Sequence, residues 1–552
     1  MNPTLVAESP RTQPPALASD RDRLVTRVCW AAAFTLIITH IILAWLSRSP
    51  AVTPAANDDA LYLLLARSLQ SFHYLDSHIL GSPGHSQYPP AFPAVLAVSG
   101  AIFGNTLAVA QITTVLFSAI SLLLIFDLAQ RYAGPVLGVL TLAPLVFSRL
   151  LLGYAGRVVT ESPYMAFSFA AIWVLCTVRD STRRYLFATI LAILAGLTRS
   201  IGLSIIAAVF VSLLVERRFR WAAVFAVASS ATVGAWLYWT TIAPTQFTER
   251  SYAAVTTTTA KHFSGPLGLV LTRSQKFVEV YIARSLGAGL QVPTIEGSRL
   301  DNIFWIVLLF AGTCIGLYLL RRKAPIIPLY FIAYCGVLLL YPYKLTRFFM
   351  PIAPLMLLSV FVTFRAIGDR WGQRLGLVLG ILLSATLVAT TAPAAIQVAS
   401  KSARCDRSHA TVSASCFAPD RLAFFSAVRF TSANIPADAA VVTIKEAAFS
   451  YYTGRKVIHP DEAIQRGRND VPGYLEKRGV RYGLITPFRG GAEIIQPLLP
   501  YCEHVQILKD FGSRTLLLSF HPSERLVGNA CETFRQLAAS IQAEAESDNL
   551  DE

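Results

Sequence analysis

The sequence predicts a polytopic α-helical membrane protein that ends in a soluble α/β domain. Of its 552 residues, 54% are hydrophobic and only 15% are charged, whereas about 25% of the residues of a soluble globular protein are charged. The apolar residues form uninterrupted blocks, several of them close to the ~20 residues that a helix needs to cross a bilayer. These blocks recur from residue 28 to residue 396 and then stop.

The basic residues indicate topology rather than a nucleic-acid partner. The net charge is +15, but Lys and Arg lie in short clusters between the apolar blocks, as expected for loops that stay in the cytoplasm. No nucleic-acid-binding motif is present, so nucleic acid is not a predicted partner. Arginines precede the first block, which predicts a cytoplasmic N-terminal segment over 1–27; they are Arg11, Arg21, Arg23 and Arg27.

Spans fitted between the basic clusters predict about 11–13 transmembrane helices. The predicted spans are 28–47, 107–129, 136–153, 163–178, 185–197, 200–215, 221–243, 303–320, 325–341, 348–364 and 375–396. These eleven crossings place the C-terminus outside a bacterial plasma (inner) membrane. Residues 89–104 are too short for a crossing, so a juxtamembrane or re-entrant helix is predicted there.

This topology divides the chain into regions. A membrane domain spans 28–397, with a first outer loop at 48–106 and a later outer loop at 244–302. An extracytoplasmic domain spans 398–540, and an acidic tail spans 541–552. Buried strands are predicted at 439–444, 482–486 and 515–520, with helices over Arg421–Asn434 and Asp461–Arg468 between them.

Four of the eight cysteines lie in this last domain. An even number of cysteines in an oxidising compartment favours disulfides. The simplest of three pairings is Cys405 with Cys416 and Cys502 with Cys531.

Two adjacent carboxylates, Asp58 and Asp59, follow the first span and open an amphipathic helix over Leu61–Leu69. Asn57 or Asp58 could simply cap this helix, and acidic charge suits its positive end. Alternatively, one carboxylate acts as a general base in a water-poor cleft, where burial and its neighbour raise its pKa.

Further charged residues are predicted on the same side of the membrane. Arg157 and Glu161 share an outer loop and could form an ordinary i,i+4 ion pair. Alternatively, Arg157 faces an anion while Glu161 supports the acceptor or the base. Lys344 and Arg347 lie in a later outer loop, where the charge rule expects no cations. They could hold a phosphate or merely extend to the membrane surface. Arg199 is a weaker third cation.

The first outer loop also contains Tyr88, which precedes two prolines that fix the backbone. Three histidines share this loop and a fourth lies in the later loop; they are His73, His78, His85 and His262. Their spacing matches no standard metal site. No cofactor is predicted, and a divalent metal is left open.

Five of the sequence features occur together, in one order along the chain. They are the acidic pair, the Pro-Pro re-entry, the Arg–Glu loop, the Gly-Leu-Thr-Arg segment at 196–199 and the Arg-Phe-Phe-Met-Pro-Ile-Ala-Pro segment at 347–354. Over residues 25–360 the chain resembles the membrane glycosyltransferases of the C-type fold. It is most similar to the bacterial branch that contains protein O-mannosyltransferases and the lipid A aminoarabinose transferase. The segment Tyr452-Thr453-Gly454-Arg455-Lys456 resembles the soluble domain that often follows.

The resemblance implies an inverting transfer of a sugar from a polyprenyl-phosphate donor to a glycan, lipid or protein acceptor outside the membrane. Asp58 matches the first acid of the family's Asp-Glu pair and is the preferred base, and Asp59 stands where that pair usually has Glu. Glu161 matches the second-loop acid, and Arg347 matches the Arg expected near the lipid phosphate. Tyr88 replaces the Lys that usually precedes Pro-Pro in the closest relatives.

Three other functions remain open from the sequence. One is a ligase or polymerase that uses lipid-diphosphate glycans, and another is an inactive or structural membrane protein whose outer tail binds a partner. The third is a secondary transporter, which would place ionisable groups near the bilayer midplane in paired halves. Few mid-span charges and no internal repeat are found.

Overall fold

A computed structural model of the chain describes residues 20–54, 57–242, 299–340, 345–467, 470–488 and 494–521, together with parts of 273–281 and 524–539. The helices of the membrane region are α1 Asp20–Leu46, α2 Asp58–Gln70, α3 Ala91–Phe103, α4 Leu107–Ala133, α5 Pro135–Val146, α6 Arg149–Ala155, α7 Glu161–Thr177, α8 Ser181–Thr198, α9 Leu203–Val215, α10 Phe219–Ser229, α11 Ala235–Ile242, α12 Arg299–Leu320, α13 Ile326–Leu340, α14 Ala353–Trp371 and α15 Gln373–Ala403. The acidic tail and most of the predicted later outer loop lie outside the described residues.

Most predicted spans correspond to helices, with two instructive differences. The predicted span 136–153 is two helices, α5 and α6, bent by 64°. Ser148 has an extended backbone between them, and its hydroxyl caps α6 at Leu151 N. The first helix begins at Asp20, eight residues before the predicted start, with Asp20 and Asp22 in its positive first turn. Helix α3 has 13 residues, as predicted for a segment too short to cross.

Two polar side chains inside the helical bundle, those of His40 and Asp127, join helices through hydrogen bonds. His40 on α1 is fully buried, and its two ring nitrogens contact Val146 O at 3.0 Å and Ser118 Oγ at 2.9 Å. Asp127 on α4 accepts from Trp173 Nε1 at 2.7 Å and from Arg131 Nε at 2.5 Å. Such pairing is expected because an unsatisfied polar group is costly where no water can reach it.

Helices α12 and α14 approach closely at two glycines. Gly312 and Gly316 lie four residues apart on α12, which is the spacing of small residues at membrane helix contacts. A methyl group on Gly316 would collide with the backbone carbonyl of Ser359. Thr363 Oγ1 donates to Gly312 O at 2.7 Å across the same contact. The contact therefore depends on the absence of side chains at these positions.

The C-terminal region is an α/β domain around one five-stranded sheet. Its helices are α16 Pro419–Asn434, α17 Glu446–Thr453, α18 Pro460–Gly467, α19 Val471–Lys477, α20 Ile495–Leu498 and α21 at 531–539, and its strands are β1 Ala440–Thr443, β2 Val457–Ile458, β3 Val480–Ile485, β4 Val505–Asp510 and β5 Leu516–Phe520. The strand order is β2-β1-β3-β5-β4; β2, β1 and β3 are parallel, and β5 is antiparallel to β3 and β4. Disulfides join Cys405 to Cys416 and Cys502 to Cys531.

The first loop of the membrane region extends this sheet. Val457 N donates to His78 O and Leu80 N donates to Val457 O, both at 2.9 Å, so the loop pairs with the edge strand β2. Lys456 Nζ also bonds Ser82 Oγ at 2.9 Å. A shared apolar cluster joins α2 to α16 and α17; it includes Leu61, Leu64, Leu65, Phe424, Phe425 and Phe449. The domain is thereby fixed to α2, the helix that carries the acidic pair.

The glycine contact gives a first testable prediction. We expect Gly316→Ala to destabilise the protein by about 1–3 kcal/mol, because the added methyl group must push α12 away from α14. Gly336→Ala is the matched control, since a methyl group there on α13 meets nothing within 4 Å. Thermal unfolding in detergent measures both, and equal melting temperatures for the two variants would contradict the close contact.

Candidate functional site

One small cavity collects charged residues from segments that are far apart in the chain. Asp58 begins α2, Glu161 begins α7, Arg199 follows α8, and Arg347 lies in a 3-10 helix, Thr346–Phe349. The cavity is lined by Asp58, Tyr62, Tyr88, Pro89, Val159, Thr160, Glu161, Thr198, Arg199, Ser200, Ile201, Arg347 and Phe348. Five of the predicted site residues therefore line one space, namely Asp58, Tyr88, Glu161, Arg199 and Arg347.

Asp58 faces this cavity with both carboxylate oxygens engaged. Arg347 Nη1 donates to Asp58 Oδ2 at 3.0 Å, and Tyr88 Oη donates to Asp58 Oδ1 at 2.9 Å. The Asp58 side chain keeps 17% of its surface exposed. It is thus oriented by two donors but still open to a molecule in the cavity.

Glu161 is the buried centre of the cluster. Its side chain is 2% exposed, and Oε1 lies 2.6 Å from Arg199 Nη1 and 3.7 Å from Arg347 Nε. The alternative of an i,i+4 pair between Arg157 and Glu161 is wrong, because Arg157 pairs with Asp59 instead. Arg347 bridges Glu161 and Asp58, so one guanidinium serves two carboxylates.

Asp59 points away from the cavity into the protein. Its side chain is 1% exposed, and its only ion pair among the described residues is with Arg157 Nη2 at 3.3 Å. Burial raises the pKa of Asp59 to about 6, against the opposing effect of the Arg157 guanidinium. The two adjacent aspartates therefore have different surroundings.

Tyr88 is held in place by a chain of contacts that sequence analysis missed. His85 is buried, its Nε2 accepts from Tyr88 N at 2.8 Å, and its Nδ1 lies 2.7 Å from Asp76 Oδ1. Because Nε2 is the acceptor, a neutral His85 carries its proton on Nδ1, and this N–H donates a hydrogen bond to Asp76 Oδ1. Tyr74 Oη also donates to Tyr88 O at 2.7 Å. In the sequence, only the short spacing of His85 and Tyr88 could have suggested that these two residues are in contact. No nearby sequence pattern identifies Asp76 as the partner of His85.

Asn57 does not cap α2, contrary to one of the sequence-based interpretations. Its φ is 60°, in the left-handed region, and its side chain makes no cap hydrogen bond. Instead, Asn57 Oδ1 accepts from Ala448 N at 3.0 Å, in the first turn of α17. The residue before the acidic pair is therefore fixed by the soluble domain.

Two predicted features are not described by the structure. Lys344 and His262 lie outside the described residues. Within the described ranges, no group of three or more His, Cys, Asp or Glu side chains is arranged to hold a metal ion.

The buried position of Asp59 predicts a pH dependence of stability. With a pKa of about 6 in the folded state and about 3.9 in the unfolded chain, the folded state binds this proton more tightly. Lowering the pH from about 6 to about 4 should therefore stabilise wild type relative to Asp59→Asn, and the difference should be constant above about pH 7. Paired melting temperatures across this range measure it. A fall in the melting temperature of wild type relative to Asp59→Asn on acidification would mean that the attraction of Arg157 outweighs burial.

The Asn57 contact predicts a graded response to substitution. Asn57→Gly removes the hydrogen bond to Ala448 but keeps the left-handed backbone accessible, whereas Asn57→Ala also adds about 1 kcal/mol of backbone strain. We expect both variants to melt below wild type, and the alanine variant to melt lowest. Equal melting temperatures for the two variants would contradict a constrained left-handed backbone at this position.

Comparisons with known proteins show which family and which fold the chain resembles. The family model of dolichyl-phosphate-mannose-protein mannosyltransferases matches residues 87–245. No curated protein matches the chain in sequence.

Solved structures match over most of the chain. The structure of ArnT from Cupriavidus metallidurans in the apo state matches with a TM-score of 0.58 and 13% identity, over 90% of this chain and 99% of that chain. The same protein bound to undecaprenyl phosphate gives a TM-score of 0.52 and 13% identity, over 91% and 98% of the two chains. The archaeal oligosaccharyltransferase AglB from Archaeoglobus fulgidus, in complex with an inhibitory peptide and a dolichol-phosphate, gives 0.51 and 12%, over 82% and 69%. The predicted resemblance is confirmed: the chain is a multi-pass membrane protein with the C-type glycosyltransferase fold, and residues 87–245 resemble the mannosyltransferases that use dolichyl-phosphate-mannose.

Proposed function

We propose that this chain transfers a sugar from a polyprenyl-phosphate-linked donor to an acceptor glycan, lipid or protein, with inversion at the sugar. The observation that carries this proposal is the cavity in which Asp58, Glu161, Arg199 and Arg347 meet. It lies in a fold shared with ArnT, which has been solved with undecaprenyl phosphate bound. The family match over 87–245 supports a glycosyltransferase in general.

The donor phosphate would bind to the cationic side of the cavity. Arg347 and Arg199 are the lining cations, and a guanidinium can bind a phosphate with two parallel hydrogen bonds. Lys344 is three residues before Arg347 and is proposed to assist, as is Arg157. Tyr88 already donates a hydrogen bond to Asp58 and would orient this carboxylate against the substrate.

The proposed reaction is a single displacement. The acceptor oxygen attacks the anomeric carbon, and the bond between that carbon and the phosphate oxygen breaks. The acceptor proton moves to Asp58, and the polyprenyl phosphate leaves with the bonding electrons. Cations near the departing phosphate stabilise the charge that develops on it in the transition state.

Asp58 is the proposed base because it combines access with orientation. Its carboxylate lines the cavity, whereas Asp59 does not. Glu161 also lines the cavity, but it is 2% exposed and engaged by two arginines. We assign Glu161 to holding Arg199 and Arg347 in place, and Asp59 to holding Arg157.

Substrate binding would require the ion pairs to rearrange. The volume of the cavity lined by the described residues is only about 30 Å³, which is too small for a sugar. An incoming phosphate would compete with Asp58 for Arg347, and it would free the carboxylate at the moment when a base is needed. We place this reaction at the outer face of a bacterial inner membrane, with the N-terminus in the cytoplasm, because the basic clusters favour that orientation.

A transfer assay with defined donors tests this proposal. Purified wild type is given polyprenyl-monophosphate and polyprenyl-diphosphate sugars, and product formation and donor binding are measured separately. We expect turnover with a monophosphate donor, and a loss of 10²–10⁴-fold in kcat for Asp58→Asn, the range typical of a lost general base. Donor binding should be retained, since asparagine keeps the size and polarity of the side chain.

Asp369→Asn is the matched control, because Asp369 is an exposed carboxylate at the far end of α14, paired with Arg365 at 3.0 Å. It should leave kcat unchanged. Full activity of Asp58→Asn would exclude Asp58 as the base. Turnover with only the diphosphate donors would favour the ligase or polymerase alternative, and no binding of either donor would contradict the proposed function.

A further inference from the structure

A second, larger cavity lies at the opposite end of the helical bundle from the acidic cluster. It has a volume of about 420 Å³, within the ~300–1,000 Å³ range of sites for small ligands. Ends of five helices and the loop between α12 and α13 form its wall. Its polar and charged lining residues are Arg131, Thr177, Arg179, Arg184, Glu216 and Lys323.

Two helices connect the two cavities and fix the distance between them. Helix α7 has Glu161 at one end and Thr177 at the other, and α8 runs from near Arg184 to Thr198 beside Arg199. A helix of 17 residues, such as α7, is about 25 Å long, close to the ~30 Å thickness of the hydrocarbon core. The second cavity therefore lies at the depth of the headgroups in the opposite leaflet.

The cavity has more positive than negative charge. Arg184 Nη2 pairs with Glu216 Oε1 at 3.0 Å, and Arg131 pairs with Asp127 behind the wall. Arg179 and Lys323 are exposed and form no ion pair within the described part of the chain. Two of the four lining cations are thus uncompensated.

The carboxylate that lines the cavity has hydrogen-bond donors of its own. Glu216 accepts from Tyr185 Oη at 3.1 Å as well as from Arg184, so the one lining carboxylate is already engaged and leaves the other cations available.

We propose that this pocket binds the phosphate of an anionic membrane lipid from the leaflet opposite the acidic cluster. Basic pockets between membrane helices are suited to such headgroups, and the depth of the pocket favours a lipid over a dissolved ion. The proposal does not depend on the proposed sugar transfer.

Lipid binding to the purified full-length protein tests this proposal. The protein in detergent is titrated with phosphatidylglycerol or phosphatidylcholine, which share a phosphodiester but differ in net charge, and bound lipid is counted by native mass spectrometry. We expect wild type to prefer phosphatidylglycerol. The double variant Arg179→Gln with Lys323→Gln should bind it about thirtyfold more weakly.

The matched control is Arg183→Gln with Arg322→Gln, which removes the same charge at two exposed residues that do not line the pocket, one in the first turn of α8 and one in the loop between α12 and α13. It should bind phosphatidylglycerol as wild type does, and melting temperatures should show that both double variants are folded. Equal weakening in the two double variants, or no preference for phosphatidylglycerol, would overturn the proposal. Displacement of the lipid by millimolar inorganic phosphate would overturn the assignment to a lipid.

Discussion

The buried carboxylate of Glu161 is the constraint on which the site depends. An ion enclosed by protein is very unfavourable unless partners and hydrogen bonds compensate it. Arg199 and Arg347 supply this compensation from the end of α8 and from the 346–349 segment. Because Arg347 also pairs with Asp58, one buried charge fixes the mutual position of α2, α7, α8 and the segment before α14.

The soluble domain also positions this site, through its contacts with α2 and the first loop. Helix α2 packs its apolar face against α16 and α17, and Asn57 accepts a hydrogen bond from Ala448 immediately before the acidic pair. The pairing of residues 78–80 with β2 fixes the loop that continues to His85 and Tyr88. Arg347 and Tyr88 both donate hydrogen bonds to Asp58. Each is positioned by contacts outside α2, Arg347 in the membrane region and Tyr88 in the first loop.

Much of this could be predicted from the sequence, because a bilayer requires long apolar helices and a lipid-linked reaction requires its charges on one side. These rules indicated most of the membrane helices, and the resemblance to a family singled out Asp58, Glu161 and Arg347. The pairing of the charges could not be predicted. Local patterns suggested that Asn57 caps α2 and that Arg157 pairs with Glu161, but the real partners are far apart in sequence. Arg157 lies 98 residues from Asp59, and Arg347 lies 289 residues from Asp58.

The adjacent aspartates also show why a motif alone does not assign roles. Successive residues on a helix point about 100° apart, so two neighbouring side chains can have different surroundings. At the start of α2 this rotation turns Asp58 toward the cavity, and it turns Asp59 toward Arg157 and the protein interior. An exchange of acid type at the second position, Asp59 to Glu, would then alter how Arg157 is held and leave the cavity-facing carboxylate in place. The division of labour that we propose follows from helix geometry together with the partners that each carboxylate meets.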